Sequence, residues 1–128
     1  MLLTAKVNNE GCRALGVWVG MLLDQMHSED EKVQERAKAL IALLTPIVKA
    51  HFTDLGCETT STCIKVMGGA GYCSEFGVEQ FYRDVRISKI WEGTNGIQAL
   101  DLAGRKITQN LGRNLRFLMW PLVEFIEE

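Results

Sequence analysis

From Val33 to Lys65 the chain carries a sustained helical rhythm, and this rhythm limits the fold more than any other feature. Val33, Ala37, Leu40, Ile41, Leu44, Val48 and Leu55 share one stripe of a helix. Pro46 lies inside the stretch. Proline lacks an amide donor and crowds the preceding turn, so a kink or short break is expected near Leu43 to Thr45. The pattern then resumes and stops at Gly68-Gly-Ala-Gly71, where glycine permits positive φ and close backbone approach. On spacing alone this is a helix C-cap and loop. No strand precedes it and no lysine-serine pair follows, so it is neither a dinucleotide fingerprint nor a Walker loop.

Shorter helices flank this spine. Residues 2 to about 27 place Leu15, Trp18, Leu22 and Met26 on one stripe, widened by Ala5, Cys12 and Val19, with no clear N-cap. Ser28 to Glu31 fits a capping box that starts the second helix. Val78 to about Ile87 reads as a short helix in which Glu79 and Arg83 pair across a turn. Thr94 or Asn95 caps another, carrying Ile97, Leu100, Ala103, Gly104 and Ile107, and Asn95 with Gln98 is box-like. Leu111 to Glu128, with Pro121 near its middle, is a further amphipathic helix. No strand pattern survives, so the expected fold is all-α, an up-and-down bundle with short connections.

Composition excludes several function classes. A length of 128 residues implies one domain, and a net charge of −2 gives no electrostatic case for nucleic acid or an anionic membrane. The apolar runs fall short of a membrane span, and no signal-type core follows the N-terminus. Cys12, Cys57, Cys63 and Cys73 show no C-x-x-C pair, and with His27 and His51 they give no zinc spacing, so no metal is expected. They read as free thiols of a reducing compartment, which suits a cytoplasmic location.

One segment carries chemistry. Ile90-Trp-Glu-Gly-Thr-Asn-Gly-Ile-Gln98 sets a single carboxylate, Glu92, between an indole and two glycines at a loop-to-helix junction. A carboxylate in such surroundings is a group whose proton affinity can be tuned for proton abstraction. Taken alone, Glu92 reads as a solvated loop residue and Trp91 as a core aromatic.

Three blocks taken together change that weighting. Val66-Met-Gly-Gly-Ala-Gly-Tyr72, Glu79-Gln80-x-x-Arg83-Asp84-x-Arg86-Ile87 and Ile90 to Gln98 stand in an order and spacing that resembles the carboxy-terminal helical domain of acyl-CoA dehydrogenases. Asn95 to Arg105 is most similar to a bacterial branch that includes 3-methylmercaptopropionyl-CoA dehydrogenase-like proteins. The resemblance implies a flavoprotein oxidoreductase that removes two hydrogens across the α,β carbons of an acyl-CoA and passes electrons to an electron-transfer flavoprotein. Glu92 matches the α-proton base. Trp91 and Gly93 would bind substrate, Gly93 against the thioester. Thr94, Asn95 and Gly96 would approach the FAD of the same subunit. Lys65, Val66, Met67, Gly68 and Gly69 would reach the FAD of a neighbour in a homodimer or homotetramer.

Two departures stand out. Most members have glutamine where this chain has Lys65, and many have tyrosine where it has Trp91. The family's amino-terminal and middle β-domains have no counterpart in residues 1–128, which read as a fragment expected to be inert on its own. The alternative is a non-catalytic helical interaction or stress-response module with the same fold.

Overall fold

The computed structural model describes residues 1–127. Helix α1 spans Leu2–Gln25 and helix α2 spans Glu31–Met67. A single turn α3, Gly69–Tyr72, and a 3-10 turn, Ser74–Phe76, lead to α4, Val78–Ile87. Then come α5, Asn95–Asp101, and α6, Arg113–Glu127. No strand occurs among the described residues, so the all-α expectation is met.

At 1.5 Å per residue α2 is about 55 Å long, and the other helices lie along it. By length and composition it would pass for a membrane span, contrary to the expectation that no run reaches that length. Here it is the shared core helix, with Leu40 and Leu43 each 1% exposed. Helix α1 runs antiparallel to it. Leu22 packs with Ala37, Leu40 and Leu44, whereas Gly16 meets Phe52, and Asn8 and Cys12 face Thr59 and Thr60 across a shallow cavity.

After Gly68 the chain returns along α2 from its end to its start. Helix α4 lies against Ile64 and, further on, against Gly56 and Cys57 through Val85. The loop after α4 reaches Asp54, and α5 starts beside Lys49 to Asp54. Helix α6 closes the core with Phe117 and Leu118, and its Arg113 pairs with Glu35.

Four local expectations are corrected. The second helix is capped by Asp30, whose carboxylate accepts from the amides of Lys32 (2.8 Å) and Val33 (3.5 Å). Ser28 only accepts from Asp30 N–H, at 3.2 Å. Of the kink or short break expected near Leu43 to Thr45, the break does not occur: α2 is continuous through Pro46. An interior proline costs about 3 kcal/mol, and burial of Pro46 with Leu40, Leu43 and Leu44 offsets it. The helix carrying Ile97 to Ile107 is shorter than its pattern. It passes at Leu102 into a wide π-turn closed by Ile107 N–H to the Leu102 carbonyl, 3.0 Å. The last helix begins at Arg113 because Asn110 (φ 52°) and Leu111 (φ 57°) are left-handed. Glu128, included in the expected tail helix, lies outside the described residues. The Glu79–Arg83 pair forms as expected, at 3.0 Å.

Two glycines make a test of this packing. A Cβ at Gly71 would lie 2.7 Å from the Ile64 carbonyl oxygen and 2.9 Å from Met67 Cβ, whereas one at Gly20 meets nothing within 4 Å. Gly71→Ala is expected to destabilise by about 1–3 kcal/mol. Gly20→Ala is expected to be neutral or to stabilise by up to about 1 kcal/mol through helix propensity. Urea denaturation midpoints decide this, and equal shifts for the two variants would refute the packing of α3 on α2.

Candidate active site

Helix α4 ends at Ile87, and the chain leaves it through two tight turns in which Ile90 and Trp91 both donate to the Ile87 carbonyl (2.9 and 3.2 Å). Glu92 (φ 51°) and Gly93 (φ 90°) then adopt left-handed backbone. This conformation costs a residue with a side chain roughly 1–2 kcal/mol, so the surroundings must impose it at Glu92. At Gly93 the positive φ favours glycine, and a Cβ would stand 2.7 Å from Gln98 Nε2 and displace that amide.

Two devices hold this backbone. The first is inside the loop: Gln98 Nε2 donates to the carbonyls of Glu92 (3.3 Å) and Gly93 (3.5 Å). The expected box between Asn95 and Gln98 is therefore absent. Thr94 is the cap of α5 instead, accepting from Ile97 N–H at 3.3 Å. The second device is at the loop's neck. Asn95 N–H donates to the Lys89 carbonyl at 3.2 Å, which closes the segment 89–95 on itself.

The Asn95 side chain faces α2. Its Nδ2 donates to Thr53 Oγ1 (3.0 Å) and Asp54 Oδ1 (3.1 Å), and its Oδ1 accepts from Lys49 Nζ (2.9 Å). Lys89 Nζ meets the same Asp54 oxygen at 2.5 Å. The Lys89 ammonium bonded to it, with a lesser contribution from Asn95, lowers the Asp54 pKa from its ordinary value. The side chain of Asn95 is thus committed to the spine.

The tip points outward. Trp91 is 58% exposed, and Glu92, Thr94 and Gly96 are exposed as well. The desolvation that a carboxylate base requires has to come from whatever closes over this loop. Of the residues singled out in sequence, the structure gathers Trp91, Glu92, Gly93, Thr94, Asn95 and Gly96 into one loop. Lys65, Val66, Met67, Gly68 and Gly69 lie elsewhere, exposed at the end of α2. From Thr53, beside Asn95, to Gly68 is 15 residues, or about 22 Å along the helix. Gly68 has φ 62°, and a Cβ there would meet nothing within 4 Å.

Lys49, Thr53, Asp54 and Lys89 went unrecognised in the sequence, and Gln98 was read there as a partner of Asn95 rather than of the Glu92 and Gly93 carbonyls. A signal for the first three exists: Lys49, Thr53 and Asp54 put a polar patch on a helix whose neighbouring positions are apolar. A cavity of about 530 Å³ lies apart, between the start of α2 and α6, lined by Arg36, Arg113, Arg116, Phe117, Trp120 and Pro121.

The sequence profile of the acyl-CoA dehydrogenase C-terminal domain matches residues 5–107, which include the whole of this loop and the spine beneath it. The chain belongs to the acyl-CoA dehydrogenase family. It is 41% identical over 116 residues to 3-methylmercaptopropionyl-CoA dehydrogenase of Ruegeria pomeroyi, covering 91% of this chain and 20% of that protein. It is 32% identical over 127 residues to butyryl-CoA dehydrogenase of Syntrophomonas wolfei, covering 98% of this chain and 21% of that protein. A broad-specificity linear acyl-CoA dehydrogenase of Mycobacterium tuberculosis is 29% identical over 131 residues, again 98% and 21%. The chain spans about a fifth of the length of these acyl-CoA dehydrogenases.

The lowered Asp54 pKa gives a pH dependence to the neck. A depressed carboxylate contributes stability that is complete above its unfolded value, about 4, and lost as pH falls through the folded value. The stability difference between the native chain and Asp54→Asn should be constant above pH ~4 and shrink below it. Denaturation midpoints measured across that range check this. A difference that persists unchanged into the acid would mean that the charge on Asp54 contributes nothing.

Proposed function

We propose that this chain is the carboxy-terminal helical domain of an FAD-dependent acyl-CoA dehydrogenase, with Glu92 as the base that removes the α-proton of an acyl-CoA thioester. The observation that carries the reading is the placement of Glu92. It is an exposed carboxylate at the tip of a fastened loop, in the stretch that matches the family.

The proton on a thioester's α-carbon is weakly acidic, and a base must meet it in a dry, oriented setting. General bases contribute about 10²–10⁴-fold when placed within hydrogen-bond reach. Glu92 supplies the acceptor oxygen. Trp91 beside it offers an apolar wall for the acyl chain, and Gly93 lets the backbone come close to the thioester. Closure by substrate removes water from around the carboxylate.

The residues present fit a flavin. Gly68 and Gly69 leave bare backbone at the open end of α2, and Thr94, Gly96 and the main chain of Asn95 line the exposed start of α5. When bound, FAD supplies the acceptor for the electrons that leave the β-carbon. The separation of about 22 Å along α2 supports assigning Thr94–Gly96 to one flavin and Lys65–Gly69 to that of a neighbouring subunit, in a dimer or tetramer. Lys65 offers an ammonium suited to a phosphate. Electrons then pass to an electron-transfer flavoprotein. Four free cysteines suit a reducing, cytoplasmic setting. The substrates named for the relatives are all acyl-CoA thioesters, and that class is the one proposed here.

In the complete enzyme, Glu92→Gln should lower α-proton exchange by about 10²–10⁴-fold while flavin stays bound. Exchange into deuterated water, read by mass, tests it, and exchange at the native rate would move the base to another residue. The 128-residue chain purified by itself should show no stoichiometric flavin absorbance in the visible. A yellow protein would show that these residues suffice to hold the cofactor.

A further inference from the structure

We propose that Asp54, on the spine helix and outside the loop, is a positioning residue for Glu92. This inference rests on the assignment of Glu92 as the base. Glu92 sits three residues from each end of the segment 89–95, and both ends fasten to one atom. Lys89 Nζ lies 2.5 Å from Asp54 Oδ1, and Asn95 Nδ2 donates to the same oxygen at 3.1 Å. The Asn95 N–H to Lys89 carbonyl bond, 3.2 Å, completes a closed ring of contacts around the neck.

The tip has little else to fix its place. Its backbone is left-handed at two successive residues, and among the described residues only Gln98 bonds to them, at 3.3 and 3.5 Å. Bonds of that length leave angular freedom. Proton transfer requires reacting atoms within about 3–3.5 Å, and a misplacement of about 1 Å can cost 10²-fold. A shift at the neck is carried to the tip. Lys49 and Thr53 hold Asn95 from the other side, so loss of Asp54 should loosen the loop and leave it attached. The contact is solvent-accessible, with side-chain exposures of 28% for Lys89 and 52% for Asp54. Pairs of this kind add little to global stability, which is what separates a positioning role from a role in folding.

The test uses the complete flavin-loaded enzyme and a panel of saturated acyl-CoA thioesters. Asp54→Ala and Lys89→Ala should each lower kcat and the α-proton exchange rate by about ten-fold or more. KM, flavin content and Tm should stay near native values. The double variant should be no slower than Asp54→Ala, since the one contact that Lys89→Ala removes is already lost there. Asp54→Asn, which keeps the acceptor oxygen without its charge, should recover part of the rate. Native exchange rates in Asp54→Ala would overturn the proposal, as would parallel loss of activity, flavin and Tm, which would make Asp54 a folding residue. Glu92→Gln is run alongside. If it retains exchange, the base assignment fails; if it abolishes exchange while Asp54→Ala does not slow it, the positioning role alone fails.

Discussion

A helix about 55 Å long with an apolar stripe cannot stand alone in water, and the whole fold answers that constraint. Helix α1 covers the stripe in the antiparallel direction, and everything after Gly68 covers the remainder on the way back. The order of elements along α2 is therefore the order of the chain reversed. The reactive loop falls at its level on the spine because α4 has run out of length there. The need to bury Leu40, Leu43 and Leu44 is also strong enough to carry the helix through Pro46.

The loop solves a different problem. It leaves a carboxylate exposed at its tip and yet is fastened at both ends. Backbone hydrogen bonds are unavailable to a left-handed pair of residues in the usual helical way. Side chains replace them: Gln98 from within, Asn95 and Lys89 at the neck, Lys49, Thr53 and Asp54 beneath. Rigidity is supplied by the spine and exposure by the tip.

Helical rhythm made α1, α2 and α4 legible in the sequence to within a few residues, because stripe and terminator agree there. Where they conflict, the sequence misled. Pro46 suggested a break that burial outweighs, and Ser28 offered a cap that Asp30 provides two residues later. The left-handed turn at Asn110–Gly112 shortened the last helix; Asn110 and Gly112 are residue types that tolerate positive φ, but Leu111 between them fitted the apolar pattern and hid the signal. The loop itself was readable as residues 90–98, and Glu92 as its focus. Its supports were not, because Lys49 and Asp54 are separated from Asn95 by more than forty positions. Only the packing of α5 on α2 makes them neighbours. Lys65–Gly69 were equally visible as a motif, but their distance from Glu92 becomes apparent only once the spine is laid out.

The division of the loop into a fastened neck and an open tip bears on how such a domain diversifies. Trp91 is more than half exposed, so other side chains can replace it without unsettling the helices below. The surface at the tip can then drift while the neck stays fixed. The same scaffold would thus carry many different tips across a lineage, each reached by changes that leave folding untouched.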